Sequence, residues 1–112
     1  MIRTITLTQN RDFLRLYKRG RSRVDRALVM YYSRNKLGIN RIGITTSKKI
    51  GTAVRRNRAR RIIREAYRQL EAETKSGYDF VFVARGRTAS LKTGDIYVIM
   101  KNMFAGAGTL AV

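Results

Sequence analysis

The residue types with the clearest chemistry lie in one segment, Lys48 to Arg68, which reads KKIGTAVRRNRARRIIREAYR and holds nine cations and one acid. Within it Arg56, Arg60 and Arg64 are spaced four residues apart, and like charges at that spacing cost a helix roughly 0.2 to 0.5 kcal/mol per pair. The segment therefore predicts a polyanionic ligand. Its arginines favour phosphate, which a guanidinium binds through two parallel hydrogen bonds.

The apolar residues of this segment recur with the period of an amphipathic helix, at about 100° per residue. A stripe predicted to face the core consists of Ala59, Ile62, Ile63, Ala66 and Leu70. The cations cover the opposite side. A solvated charged face is the alternative interpretation, but such a face usually mixes both signs, so this one favours contact with RNA or DNA. The residues assigned to RNA binding on this face are Arg56, Asn57, Arg58, Arg60, Arg61, Arg64 and Arg68.

The approach to this helix, SKKIGT, adds two further RNA-binding candidates, Lys48 and Lys49. The helix is predicted to begin at Thr52, so its free N–H groups and the positive end of its dipole lie beside two ammonium groups. A phosphate would fit there. Alternatively, Gly51 only forms the turn and Thr52 only caps the helix, roles that do not exclude a bound phosphate.

Composition limits the classes of protein that the chain can belong to. Its 112 residues predict one domain, 1–112, and its net charge of +18 at pH 7 destabilises the compact state by self-repulsion unless a polyanion binds. Without cysteine, disulfides and cysteine zinc sites are excluded. No apolar run approaches the roughly 20 residues of a membrane span, and the N-terminus lacks the apolar core of a secretory signal. We therefore expect a cytoplasmic protein with no membrane partner.

The remaining elements are predicted from periodicity and turn residues. A first helix, QNRDFLRLYKRG, has Thr8 as its N-cap and Gly20 as its stop. The strands ALVMYYS and RIGITTS are most simply a β-hairpin, and YDFVFVA, apolar on both faces, is predicted to be a central strand. A closing helix is expected in SLKTGDIYVIMKNMF, with a strand as the alternative. The fold class is thus α+β, a small α-β sandwich in the order α-β-β-α-β-α.

Three aromatic residues are candidates for a second kind of RNA contact. Phe13 and Tyr17 are four residues apart among the cations of the first helix, and Tyr31 lies on the first predicted strand. Core packing is the usual role of such residues. Aromatic rings interleaved with cations are also typical of platforms on which single-stranded bases stack. Periodicity leaves both interpretations open.

The segments NRDFLRLYKRG, RIGITTSKKIGTAVRRNRARRIIREAYR and YDFVFVARGRTA resemble, in this order and spacing, the protein component of bacterial ribonuclease P. The resemblance covers residues 9–104, and its most specific part is the Arg-Asn-Arg signature in RRNRARRIIREAYR. It implies that the basic helix lies in a left-handed crossover between parallel strands, an exception to the right-handed rule. It also implies one further short strand, for which RSRV is the expected place.

The resemblance further implies that an RNA subunit is the catalyst and that the protein binds both this RNA and the single-stranded 5′ leader of precursor tRNA. Phe13, Tyr17 and Tyr31 match the leader-binding aromatics. The Mg²⁺ ions of hydrolysis would be bound by RNA, with no cofactor assigned to the protein. The residues that match the family's basic signature are Lys48, Lys49, Arg56, Asn57, Arg58, Arg60, Arg61 and Arg64.

Two other classes remain as alternatives. A protein nuclease would need histidine or clustered carboxylates, but histidine is absent and Asp12, Asp25, Asp79 and Asp95 occur in different predicted elements. Glu71 and Glu73 have the pattern of an exposed helix end. We therefore assign no catalytic and no metal-binding residue. The other alternative is an architectural or ribosomal RNA-binding protein with no role in cleavage.

Overall fold

The structure is a computed structural model that describes residues 4–111, so the ends of the predicted 1–112 domain lie outside the described part. The described residues form five strands and three α-helices, with short 3₁₀ turns at 48–50, 71–73 and 88–90. The elements are β1 (Thr4–Thr6), α1 (Asn10–Arg19), β2 (Arg21–Val24), β3 (Leu28–Arg34), β4 (Asn40–Thr45), α2 (Ala53–Leu70), β5 (Tyr78–Ala84) and α3 (Thr93–Ala107).

The five strands form one mixed sheet in the order β1-β4-β5-β3-β2. The predicted hairpin of β3 and β4 is wrong, because β5 lies between them, antiparallel to β3 and parallel to β4. The prediction that β5 is central is confirmed. Strands two places apart are separated by roughly 10 Å, a gap that the five-residue connection 35–39 can cross. Inserting β5 buries both of its apolar faces, whereas a β3–β4 hairpin would leave it at an edge.

Of the two edge strands, β2 was predicted and β1 was not. RSRV forms β2, antiparallel to β3, as the family resemblance implies. Strand β1 was not predicted, because three residues are too few for a period to be recognised; it pairs in parallel with β4. Helix α2 joins the adjacent parallel strands β4 and β5, which confirms a βαβ crossover. The left hand of that crossover stays an expectation from the resemblance.

Helices α2 and α3 cover one face of the sheet and enclose the larger core. The predicted apolar stripe of α2 is buried throughout, and α3 contributes Ile96, Met100, Met103 and Phe104. Helix α3 confirms the helical prediction for this segment over the strand alternative. At the centre, the Tyr67 ring lies 6.2 to 6.3 Å from the rings of Phe80, Phe82 and Phe104.

Three local predictions can be compared with the structure. Thr52 is the N-cap of α2, and its side chain accepts a hydrogen bond from the Arg55 N–H at 3.3 Å. Thr8 is not the N-cap of α1; Gln9 occupies that position, without a side-chain cap. Glu71 is buried rather than exposed, because the chain continues past α2 into a 3₁₀ turn that packs inward. In residues 4–111 no helix is long and apolar enough to cross a membrane.

Candidate nucleic-acid interface

Helix α1 lies on the face of the sheet opposite to α2 and α3. Its Leu16 packs with Leu7 and Val81 in a second, smaller core. Phe13 and Tyr31 surround this core and are half-buried. The small core fixes the helix to the sheet, so the side chains along its margin have defined positions.

An open groove runs along the sheet beside α1. The helix covers the row formed by Tyr31 and Val81, whereas the next row, Val29 opposite Val83, remains only half-buried. These two valines line a groove of about 430 Å³ that continues to Lys49. We call it the α1 groove. It combines an apolar floor with a cation at its end, which suits a ligand with both bases and phosphates.

The three predicted leader-binding aromatics come together beside the α1 groove. The rings of Tyr17 and Tyr31 meet edge to face, with centroids 5.0 Å apart and planes at 76°. Tyr17 is 38% exposed, and Phe13 is half-buried. Packing and exposure are thus combined, so the two interpretations that periodicity left open do not exclude each other.

Gly43 on β4 determines where the Phe13 ring can lie. A Cβ at this position would be 2.5 Å from both Cε1 and Cζ of Phe13, closer than any carbon–carbon contact allows. Glycine inside a strand is a known signal of close approach, and it was present in RIGITT. Sequence reasoning did not use this signal, because nothing local identifies the approaching ring.

We expect Gly43→Ala to displace the Phe13 ring and to lower the free energy of unfolding by about 1 to 3 kcal/mol, the usual cost of overpacking. Thermal or urea denaturation measures this loss. Gly86→Ala is the matched control, since Gly86 lines the α1 groove and has open space around it. In the background of Phe13→Ala the Gly43→Ala substitution should cost far less. Equal costs in both backgrounds would contradict the proposed contact.

A buried carboxylate, Asp79 on β5, ties α1 to the sheet. Arg41 donates to it from Nε at 2.8 Å and from Nη2 at 2.7 Å, and Asn35 and Arg15 donate at 2.9 and 3.2 Å. Arg15 and Arg41 also contact Asp12, at 3.1 and 3.5 Å. Because Arg15 belongs to α1, Arg41 to β4 and Asp79 to β5, this network fixes the helix to these two strands.

Burial alone would raise the pKa of Asp79, but the hydrogen bonds from Arg41 and Asn35 and the charges of Arg41 and Arg15 outweigh it and lower that pKa. Asp12 and Asp79 are therefore not scattered, as their sequence positions indicated, but joined through two arginines. The two guanidinium groups balance the negative charges of both carboxylates. Among residues 4–111 no group of three or more acidic side chains could hold a metal ion.

Lys48 and Lys49 lie in the 3₁₀ turn that precedes α2, and both are exposed. Lys49 lines the α1 groove, so this turn connects the groove to the basic helix. Gly51 has a φ of 129°, which a residue with a side chain rarely adopts. The turn and N-cap duties considered for Gly51 and Thr52 are therefore both present.

The arginines of α2 do not form one uniform face. Arg60 donates to the Ile44 carbonyl at 3.0 Å and to Thr46 Oγ1 at 2.9 Å, at the end of β4. Arg58 turns to the other flank and donates to the carbonyls of Ala89 and Leu91. Each guanidinium has five N–H donors, so both can still bind a phosphate. Their orientation is nevertheless fixed by the protein.

The centre of the basic face consists of side chains that are free to meet a ligand. Asn57, Arg61 and Arg64 are exposed, and within residues 4–111 their side chains make no hydrogen bond or ion pair. Arg68 differs, because Glu65 accepts two hydrogen bonds from it, at 3.0 and 2.6 Å. Arg56 is half-buried, and its Nε is buried without a hydrogen-bond partner among the described residues. Arg61 and Arg64 are thus the cations most available to an external phosphate.

One cation of this region was missed by the sequence analysis. Arg55, which was not among the residues assigned to RNA binding, folds back to donate to the Ile50 carbonyl and to Ser90 Oγ, both at 3.3 Å. It joins the start of α2 to the turn that precedes α3. Helical periodicity gives no signal for a side chain that folds back in this way.

Comparisons with known proteins agree with this geometry. The family model described as Ribonuclease P matches residues 1–108. The ribonuclease P protein component of Clostridium botulinum (strain Loch Maree / Type A3) is 41% identical over 103 residues, 91% of this chain and 93% of the relative. The solved RNase P protein of Staphylococcus aureus superposes with a TM-score of 0.83 at 32% identity, covering 93% of this chain and 95% of that one. The Thermotoga maritima protein gives a TM-score of 0.78 at 28% identity, with coverages of 87% and 92%.

Proposed function

The chain belongs to the ribonuclease P protein family, and from that premise we propose that its α1 groove holds the single-stranded 5′ leader of precursor tRNA. As a family member it is the non-catalytic protein subunit of a ribonucleoprotein endoribonuclease of tRNA processing, and its partner is the ribonuclease P RNA. The leader and its binding site are what the proposal adds.

The observation that carries the proposal is that Phe13, Tyr17 and Tyr31 lie next to the row of the sheet that lines a groove together with Lys49. Base stacking on aromatic rings is worth roughly 1 to 3 kcal/mol per base and is indifferent to sequence. A lysine at the end of the groove attracts phosphate and adds no sequence preference. This combination suits a leader that differs from one precursor tRNA to the next.

The basic face of α2 is proposed to bind the RNA subunit. Arg61 and Arg64 are exposed without partners among the described residues, and Arg58 and Arg60 are held at its margins. Neutralising phosphates releases counterions from the RNA, so this affinity falls steeply with salt. The same neutralisation removes the repulsion between arginines spaced four apart. We propose that this relief explains why the chain tolerates so much positive charge.

The division of labour then follows. The RNA subunit performs hydrolysis with Mg²⁺ ions that it binds itself, and the protein contributes substrate affinity and reduces repulsion between two RNAs. RNA phosphates are a sufficient partner for the protein's positive charge. We therefore propose that the protein acts in the cytoplasm and has no membrane partner.

The test compares precursor tRNAs that carry one leader nucleotide or several. We expect Phe13→Ala and Tyr17→Ala to weaken binding of the long-leader precursor to the holoenzyme by roughly 5- to 150-fold, the equivalent of one stacked base. The one-nucleotide precursor should be little affected. Leu14→Ala is the control, since Leu14 lies on the same helix and is 49% exposed.

Equal weakening of both precursors, or none, would contradict the leader groove. Unchanged binding of the long-leader precursor would instead favour an architectural role with the basic helix alone. Melting curves of the free variants distinguish a lost contact from a lost fold.

A further inference from the structure

A second pocket lies on the other face of the sheet, at the opposite end of the strands from the α1 groove. It has a volume of about 360 Å³ and is lined by Arg19, Arg21, Arg34 and Tyr78, with Ala107 at the end of α3. Tyr78 begins β5, whereas Val83 of the α1 groove comes five residues later, which corresponds to roughly 17 Å along a strand. We call it the three-arginine pocket.

The three arginines come from three elements that the register brings together. Arg19 ends α1, Arg21 begins β2 and Arg34 ends β3. Arg21 pairs with Tyr32, and Arg34 pairs with Tyr78. Gly20 allows the tight junction between α1 and β2, because a Cβ there would be 2.6 Å from the Leu16 carbonyl oxygen.

The arginines of this pocket have no acidic partner among residues 4–111. Its lining includes no acidic residue. Within residues 4–111 the side chains of Arg19 and Arg21 make no hydrogen bond or ion pair, and Arg34 only lies over the Tyr78 ring, 5.9 Å from its centroid. Three guanidinium groups that line one pocket repel one another unless an anion lies between them. The pocket thus presents the same unrelieved repulsion as the basic helix.

Tyr78 gives the pocket a fixed aromatic wall. Its ring is half-buried and stacks on Phe80, with centroids 5.8 Å apart and planes at 20°. The Arg34 guanidinium over this ring provides a planar, charged surface of the kind on which nucleobases stack. Simple anions need no such surface, whereas a nucleotide uses both the plane and the phosphate donors.

We propose that the three-arginine pocket binds a single-stranded RNA segment, with a phosphate between the arginines and a base against Arg34 and Tyr78. The segment is distinct from the leader, because the pocket and the α1 groove lie on opposite faces of the sheet. Its source is either the RNA subunit or the body of the precursor tRNA, which present the same chemistry. This proposal depends on the RNA partnership of the family and not on the leader groove.

The test measures how the binding constant depends on salt for two RNAs separately: ribonuclease P RNA with the protein, and a one-nucleotide-leader precursor tRNA with the holoenzyme. The variant is Arg21→Gln with Arg34→Gln, and the charge-matched control is Lys36→Gln with Lys101→Gln. For one of the RNAs, the slope of log K against log salt should become shallower by about one unit in the pocket variant, because one phosphate contact is lost. The control should change the slope much less.

A second arm tests the aromatic wall. Tyr78→Leu should weaken binding of the same RNA roughly 5-fold or more, whereas Tyr78→Phe, which keeps the ring, should bind as the unmodified protein does. Circular dichroism and melting curves exclude unfolded variants. If these variants change binding of the RNA subunit, the segment belongs to that RNA. If they change binding of the precursor tRNA, the segment belongs to the substrate.

The proposal is overturned if the pocket variant and the lysine control have equal slopes on both RNAs. Its failure is distinguishable from failure of the leader proposal, since the precursor in this test has only one leader nucleotide and Phe13 and Tyr17 are unchanged.

Discussion

Reversing two charges, Arg61→Glu with Arg64→Glu, is expected to weaken binding of the RNA subunit by on the order of 100-fold without destabilising the free protein. Both side chains are exposed and have no partner among residues 4–111, so nothing in the fold depends on them. Each charged hydrogen bond to a phosphate contributes at least about 1.5 kcal/mol, and 1.4 kcal/mol is a factor of ten in affinity.

Stability should change little, because the two substitutions have opposing effects on the charge pairs of α2. At position 64 the new carboxylate replaces like-charge pairs with opposite-charge pairs, whereas at position 61 it lies four residues before Glu65. Glutamate at position 64 is four residues from both Arg60 and Arg68, a spacing that contributes roughly 0.2 to 0.5 kcal/mol per pair. An unchanged melting temperature combined with a lower RNA affinity is a result that partial unfolding cannot produce.

The measurement is a titration of ribonuclease P RNA with each protein at several salt concentrations. Lys36→Glu with Lys101→Glu is the matched control, because it changes the net charge equally through exposed lysines outside α2. If the control loses as much affinity as the arginine variant, the effect belongs to the overall charge and the assignment of the basic face fails.

The second large effect is expected from Asp79→Asn, which should lower the free energy of unfolding by about 2 to 3 kcal/mol at neutral pH. Removing one partner of a buried ion pair typically costs roughly 3 to 5 kcal/mol. A smaller value applies here, since the side chains of Arg41 and Arg15 are 20% and 47% exposed and water screens them. Urea denaturation monitored by circular dichroism gives the difference.

The same variant should also change the dependence of stability on pH. The pKa of Asp79 is lowered in the folded protein from a usual value of 3.8, so its contribution is complete above that pH. It is lost as the pH falls further, through the folded-state pKa. The free energies of the two proteins should therefore converge in acid and differ most at neutral pH.

Asp95→Asn is the control for this prediction. Asp95 is exposed and accepts a hydrogen bond from the Lys92 N–H at 3.0 Å at the start of α3, so its loss should cost a few tenths of a kcal/mol. If the free energies of unfolding of Asp79→Asn and of the unmodified protein differ by the same amount from pH 7 to pH 2, the charge of Asp79 is not the source of the stability.

The Asp79 substitution also tests how α1 is positioned. Arg15 joins α1 to Asp79, and the aromatics at positions 13 and 17 lie on either side of it along the same helix. We expect the variant to bind the long-leader precursor tRNA more weakly, with a smaller effect on binding of the one-nucleotide form. The basic helix lies on the other face, so affinity for the RNA subunit should be largely retained.

The sequence predictions that are confirmed have mostly a local physical cause. Helical periodicity predicted the buried stripe of α2, the N-cap role of Thr52 follows from its hydroxyl, and the apolar run YDFVFVA predicted a central strand. The resemblance added the strand RSRV and the family. The assigned site residues keep the status of predictions, although the structure brings the three aromatics together beside the α1 groove.

The features that sequence patterns missed are contacts between distant residues. Asp79 and Arg41 are separated by 38 positions, and Gly43 and Phe13 belong to different elements on either side of β2 and β3. No periodicity records which partner will approach. For the same reason the hairpin prediction failed, because a short connection favours β3 next to β4 while the burial of β5 requires it between them.

The sequence by itself determined that this protein carries an excess of positive charge on one amphipathic helix and binds a polyanion, because charge and periodicity are properties of residues near one another in the chain. Only the tertiary structure decided how those cations are divided. Arg58 and Arg60 donate to backbone carbonyls of neighbouring elements, whereas Arg61 and Arg64 have no side-chain partner in the described part of the chain, 4–111. The position of a carbonyl or of a carboxylate such as Asp79 depends on how the sheet is paired, and pairing is decided by which arrangement buries the most apolar surface.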